Sequence, residues 1–249
     1  MRGMVLQVTL LGCSWLASAA QQTVIDEGRM RTPREALAQH GIGSDKQSLL
    51  DALKNRDAEV RSLAAMTLGE RDFDAVRADS IPALAEALRN ETDPAAAAAM
   101  AVVLGGLGDF RGDRALEKMC HDSTIGSRAK LQAARYSLGL NSGNCLDGVL
   151  DHAFKGDDLA TEEALGLLPQ FQRLQHISSE DQDRIVAMVR RGLTDPSPQM
   201  RRSAAYARGS MSDESAAADL QRAINVESDA HVRDSMRTAL ISLQKQTSK

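Results

Sequence analysis

Apolar residues recur three and four positions apart along most of the chain. Leu49, Leu50 and Leu53 share one helical face, as do Ile81, Leu84 and Leu88, then Leu116 with Met119. Leu146, Val149 and Leu150 form a fourth set, Ile185, Met188 and Val189 a fifth, and Leu220 with Ile224 a sixth. This spacing belongs to helices that bury one stripe. No segment sustains the alternation of a half-buried strand, and β-branched residues are sparse. The pattern predicts an all-α chain. Thr32-Pro33-Arg34-Glu35 supplies a capping box with proline at the first helical position, and Gly41 ends the short helix it opens, over about 33–40. Ser44-Asp45-Lys46-Gln47 caps the next helix in the same way.

A longer period overlies the first. Asp57-Ala58-Glu59-Val60-Arg61 returns as Asp229-Ala230-His231-Val232-Arg233, with looser copies at Ser197–Arg201 and Asp93–Ala97. Arg61–Gly69 aligns with Arg201–Gly209 at an offset of 140 residues, and Leu104-Gly105 and Leu138-Gly139 fall at 36 and 70. The unit is therefore about 35 residues, a helix, a turn and a second helix. Six units run roughly over 44–79, 80–112, 113–144, 145–177, 178–212 and 213–246. The repeated aspartates stand where a carboxylate caps the second helix. The Ala-Ala pairs let helices approach, and Gly69, Gly105, Gly139 and Gly209 are expected to end that helix at positive φ. Phe73 and Phe110 are expected to plug joints between units. One pair cannot bury its own apolar face, so neighbours must stack.

Asp-x-x-Val-Arg followed by Ala-Ala and Leu-Gly resembles the HEAT-like repeat of the type first associated with phycobilisome lyases. The resemblance covers about 44–246 and weakens in the fourth unit, where Gly166, Leu167, Leu168 and Pro169 break the pattern. It implies a right-handed α-solenoid of about six helix pairs, with the second helices lining the concave face. It implies the repeat, not a reaction.

The first twenty residues read differently. Arg2 precedes an apolar run from Met4 to Leu11, and Ala17-Ser18-Ala19 forms a small-x-small cleavage site, the pattern of a secretory signal peptide. Leu10-Leu11-Gly12-Cys13-Ser14 is a competing lipobox, in which Cys13 would be acylated. The chain then divides into a signal peptide (1–20), a leader with one short helix (21–43) and the repeat domain (44–246). Cleavage would leave 29 basic and 34 acidic residues, a net charge of −5, which disfavours nucleic acid as a partner. Without acylation no membrane insertion is expected, and the mature form is read as a monomer in the periplasm or secreted. Cys120 and Cys145 would remain, an even number in an oxidising compartment; a disulfide and two buried thiols are both open.

No catalytic constellation is present: no Gly-x-Ser-x-Gly, no phosphate-loop glycines, no His-Glu-x-x-His. Cys120, His121, Cys145 and His152 lack zinc spacing, and Asp157-Asp158 with Glu162-Glu163 lacks the calcium-loop pattern. Neither an enzyme, a metal nor a cofactor is expected. One aligned position reads Met66, Val102, Tyr136, Glu163, Tyr206 and Thr238, and its mixed polarity suits a groove. Tyr136, Arg202 and Tyr206, with Met66 and Glu163, form the candidate partner-binding patch; packing of both tyrosines between helices is the alternative. Arg61, Arg201 and Arg233 are read as a ladder to aspartates of adjacent turns. The expected function is a non-enzymatic protein-interaction scaffold outside the cytoplasm. An envelope-anchored lipoprotein and an accessory subunit of an enzyme complex are the alternatives.

Overall fold

The computed structural model describes residues 25–26, 29–70, 74–152, 158–211, 213 and 215–247. The signal-peptide and Cys13 readings, and Phe73, lie outside the described residues. A two-residue antiparallel ladder, Ile25 with Met30 and Asp26 with Arg29, precedes the helices. Thirteen helices follow among the described residues. After α1 (Pro33–Gln39) come six pairs: α2 (Lys46–Ala52) and α3 (Ala58–Leu68), α4 (Asp74–Asn90) and α5 (Pro94–Gly106), α6 (Phe110–His121) and α7 (Ser127–Gly139), α8 (Leu146–His152) and α9 (Asp158–Gln172), α10 (Ser179–Gly192) and α11 (Pro198–Gly209), α12 (Ala216–Val226) and α13 (Ala230–Thr247). The fold is an all-α solenoid. No described helix is long and apolar enough to cross a membrane.

The chain divides into two compact units, one ending at Asp113 and the other starting at Arg114. In the first, α3 packs against α2, α4 and α5, and α1 covers α3 with Ala36 and Leu37. In the second, α7, α9, α11 and α13 lie side by side as one layer, with α8, α10 and α12 packed against it. The predicted stripes point inward: Leu49, Leu84, Leu116, Val149, Ile185 and Leu220 are all buried.

Local chemistry explains the ends. Thr32 accepts from the Glu35 amide while the Glu35 carboxylate accepts from the Thr32 amide, completing the capping box. Gly41 takes φ +71°. Asp57, Asp93 and Asp229 each accept from amides in the first turn of a second helix.

The repeated glycines act otherwise than expected. Positive φ is found at Gly41, Gly108 and Asn141, not at Gly69, Gly105, Gly139 or Gly209. A Cβ on Gly69 would stand 2.9 Å from Val103 Cγ2, and one on Gly209 2.8 Å from Ala239 Cβ. These two glycines let the second helix of one repeat touch the second helix of the next. Phe110 is also no plug, being 65% exposed. The close approach of α6 to α5 is made by Gly112, where any Cβ would collide with the Ala101 carbonyl and the Gly105 amide.

Candidate functional site

Neighbouring repeats are locked by a recurring guanidinium clamp. Arg61 donates from Nε and Nη2 to both oxygens of Glu91, each at 2.6 Å, and from Nη1 to the carbonyls of Asn55 and Arg56. Arg201 repeats the geometry: Nε and Nη2 reach Glu227 at 2.6 and 2.9 Å, and Nη1 reaches the carbonyls of Asp195 and Pro196. The acid is a glutamate from the following repeat, not the aspartate of an adjacent turn. Glu91 and Glu227 also accept the amides of the capping residues Asp93 and Asp229. The Arg201 bond holds the Glu227 carboxyl below its ordinary range. Burial opposes ionisation of Glu91, but the bonds from Arg61 and the Asp93 and Thr92 amides outweigh it, so its pKa is also lowered. In the final repeat Arg233 turns to the carbonyls of Glu227 and Ser228. These three cations are spent on structure.

The second-helix layer of the C-terminal unit keeps one face open. On α9 the accessible positions include Leu159, Glu162, Glu163, Gly166 and Gln170; on α11 they include Gln199, Arg202, Ser203 and Tyr206. The steps of three and four trace one side of each helix. Leu159 is 77% exposed, Tyr206 50% and, on α13, Ile241 52%. The face is stitched across helices: Arg135 on α7 pairs with Glu163 on α9 at 2.5 Å, and the Ser203 hydroxyl on α11 donates to Glu162 at 3.2 Å.

The predicted patch is only partly assembled here. Arg202, Tyr206 and Glu163 lie on this face. Tyr136 does not: it is 1% exposed, and burial pushes its hydroxyl pKa up to about 12. The accessible side of α7 runs through Arg128, Gln132 and Arg135, one residue short of Tyr136. One residue is about 100° of helical rotation, so Arg135 occupies the place corresponding to Tyr206. Met66 is also excluded, being 6% exposed. The run Leu63–Leu68 is buried on every side of α3, which leaves no open stripe there.

The structure adds three features to those the sequence pattern marks. Asn55, Glu91, Asp195 and Glu227 each accept the amide of the capping residue two positions on, a signal present in the sequence as a polar residue two before each cap. Leu159 and Ile241 look like ordinary apolar residues in the sequence, and both are exposed. Buried Arg208 binds Asp213, Ser215 and Asp219, and Asp219 also receives Arg190 and Arg222. That cluster fastens the α11–α12 turn and holds the Asp213 carboxyl well below the usual range, chiefly through Arg208.

Cys120 and Cys145 are joined as a disulfide, Cα to Cα 5.4 Å, and both are buried. It ties the end of α6 to the start of α8, where Gly148 lies so close that a Cβ would be 2.6 Å from the Cys120 carbonyl. In the first unit a cleft of about 550 Å3 opens between α2 and α4 over Leu50, Leu53, Ala83 and Ala87. Among the described residues no three His, Cys, Asp or Glu side chains converge as a metal site.

Comparison with family models finds the repeat in part of the chain. Residues 47–137 match the family model described as HEAT repeats. No curated protein matches. Human deoxyhypusine hydroxylase, solved with glycerol, is 16% identical over 94% of this chain and 96% of its own, with a TM-score of 0.43. An engineered protein is 18% identical over 94% of this chain and 63% of its own, at 0.49. The complex of CpcE and CpcF of phycocyanin lyase from Nostoc sp. PCC7120 is 18% identical over 89% and 98%, at 0.37.

Proposed function

We propose that this solenoid, a helical scaffold built on HEAT repeats, is a non-enzymatic protein-interaction module that works outside the cytoplasm, in a periplasm or secreted. The observation that carries the reading is the open face of α7, α9, α11 and α13. It sets an exposed tyrosine, two exposed aliphatic side chains and Arg202 on rigid helices, the composition that favours protein recognition. Cross-helix bonds tie α7 to α9 and α9 to α11, so this part of the surface is ordered before a partner arrives, which lowers the entropy cost of binding. The buried disulfide supports the compartment, because such bonds persist where the environment is oxidising.

The test is capture from the native host with tagged protein spanning residues 21–249, beside an Arg202→Ala/Tyr206→Ala variant. An exported protein retained by the parent and lost by the folded variant supports the reading. Equal capture by both removes the face from consideration. Recovery of the tagged full-length chain from the cytosol, with both cysteines reduced, overturns the compartment.

A further inference from the structure

The open face has an unbalanced set of free charges. Two of its carboxylates are ion-paired, Glu163 with Arg135 and Asp234 with Arg237 at 2.9 Å, while Glu162 accepts only the neutral Ser203 hydroxyl and keeps its charge. Arg128 on α7 and Arg202 on α11 lie on the accessible side, and neither has a hydrogen-bonding or ionic partner among the described residues. Arg202 stands one turn from Tyr206 on the same side of α11, since residues four apart are neighbours on a helix. Leu159 projects from the first turn of α9, between these two helices in the layer. A cation, an aromatic ring and an aliphatic side chain are therefore presented together, and the two unpaired arginines outnumber the one carboxylate, Glu162, that has no cationic partner. This surplus of one cation lies on a chain whose formal net charge is −4.

We infer that the occupant of this face is an acidic, apolar-bearing peptide segment of a partner protein. Its carboxylates pair with Arg202 and Arg128, and an aliphatic or aromatic residue packs on Tyr206 and Leu159. Guanidinium groups suit this task because they hold a carboxylate through two parallel bonds. The inference rests on the docking reading above and adds the chemistry of what docks. A basic segment would meet two unpaired cations and lose affinity.

The experiment uses the purified chain and three fluorescein-labelled twelve-residue peptides, read by anisotropy: Glu alternating with Phe or Leu, Lys in place of Glu, and Glu with Ser in place of the apolar residues. The acidic apolar peptide is expected to bind at least tenfold more tightly than the other two. Its affinity should fall at least fivefold between 50 and 300 mM salt, fall tenfold or more in Arg128→Glu/Arg202→Glu, and largely return in Arg128→Lys/Arg202→Lys. Both sites are exposed, so an unchanged melting temperature verifies folding. Equal binding of the lysine peptide, indifference to charge reversal, or no binding of the acidic peptide overturns the inference. If the host protein is nonetheless captured in a Tyr206-dependent way, the docking reading stands and only the chemistry is wrong. If capture ignores Tyr206, the docking reading falls as well.

Discussion

Arg61 and Glu91, thirty residues apart, form a two-pronged ion pair that welds one repeat to the next, and Arg201 with Glu227 rebuilds it in the C-terminal unit. Glu91 and Glu227 are almost wholly buried, and each arginine is largely so. Removing one member leaves a buried charge without a counter-ion, which costs about 3–5 kcal/mol. Glu227→Ala is expected to lower the melting temperature by roughly 6–20 °C. Arg201→Met/Glu227→Met should recover much of that loss, because no charge is stranded. Strictly additive losses among Arg201→Met, Glu227→Met and the double variant would show that the pair is not coupled.

The same glutamates make stability fall in acid. Their folded pKa values lie below the ordinary value near ~4.3, so the clamps favour folding fully only above that value. The contribution is lost as pH falls through the folded values. The melting temperature should be nearly flat from pH 7 to 5 with respect to these groups, then drop below about 4. The drop should be shallower in Arg61→Met/Glu91→Met. A profile unchanged in that variant would remove the clamps as its cause.

At the alkaline end Tyr136 is the relevant group. Its folded pKa is raised to about 12 by burial. The stabilisation is complete below the unfolded value near ~10 and is lost as pH rises through the folded value. Tyr136→Phe should weaken the loss of stability between those limits. Denaturant midpoints at pH 9 and pH 11 for both proteins measure it.

Why the fold is legible in the sequence and the site less so follows from particular residues. Helix pairs announce themselves because each must bury a stripe, and Leu49, Leu84 or Ile185 mark that stripe at every repeat. Caps are legible because Asp57, Asp93 and Asp229 precede their helices in a fixed phase. Surface placement needs single-residue precision, and a repeat that varies in loop length does not carry it. Tyr136 and Tyr206 are separated by two repeat lengths yet differ by one residue in rotational phase, enough to bury one and expose the other. Gly69 and Gly209 resemble helix ends in the sequence because glycine allows positive φ. The contacts with Val103 and Ala239 that make glycine necessary come from the next repeat, beyond the reach of local pattern.

Two glycines are opposite in effect, because only Gly148 packs against the disulfide. Gly148→Ala places a methyl group against the Cys120 carbonyl and should cost about 1–3 kcal/mol. Gly166 lies on the open side of α9, and a Cβ added there would meet nothing within 4 Å. Gly166→Ala should therefore gain up to about 1 kcal/mol from helix propensity. Chemical denaturation of the two variants gives both signs at once. A neutral Gly148→Ala would contradict the close approach of α6 and α8.

The disulfide closes a loop with a sequence separation of 25 residues. Chain entropy puts its contribution near ~3.5 kcal/mol. Cys120→Ser/Cys145→Ser should melt roughly 7–14 °C lower. Non-reducing mass analysis of protein taken from the host should show no free thiol at either position.

The two tyrosines offer the most direct test of the partner-docking account. The affinity of the host partner, once captured, should be measured for the parent, Tyr206→Ala and Tyr136→Phe. The account predicts at least tenfold weaker binding for Tyr206→Ala with its melting temperature held within a degree or two, and parental binding for Tyr136→Phe. Parental affinity in a folded Tyr206→Ala variant would contradict it.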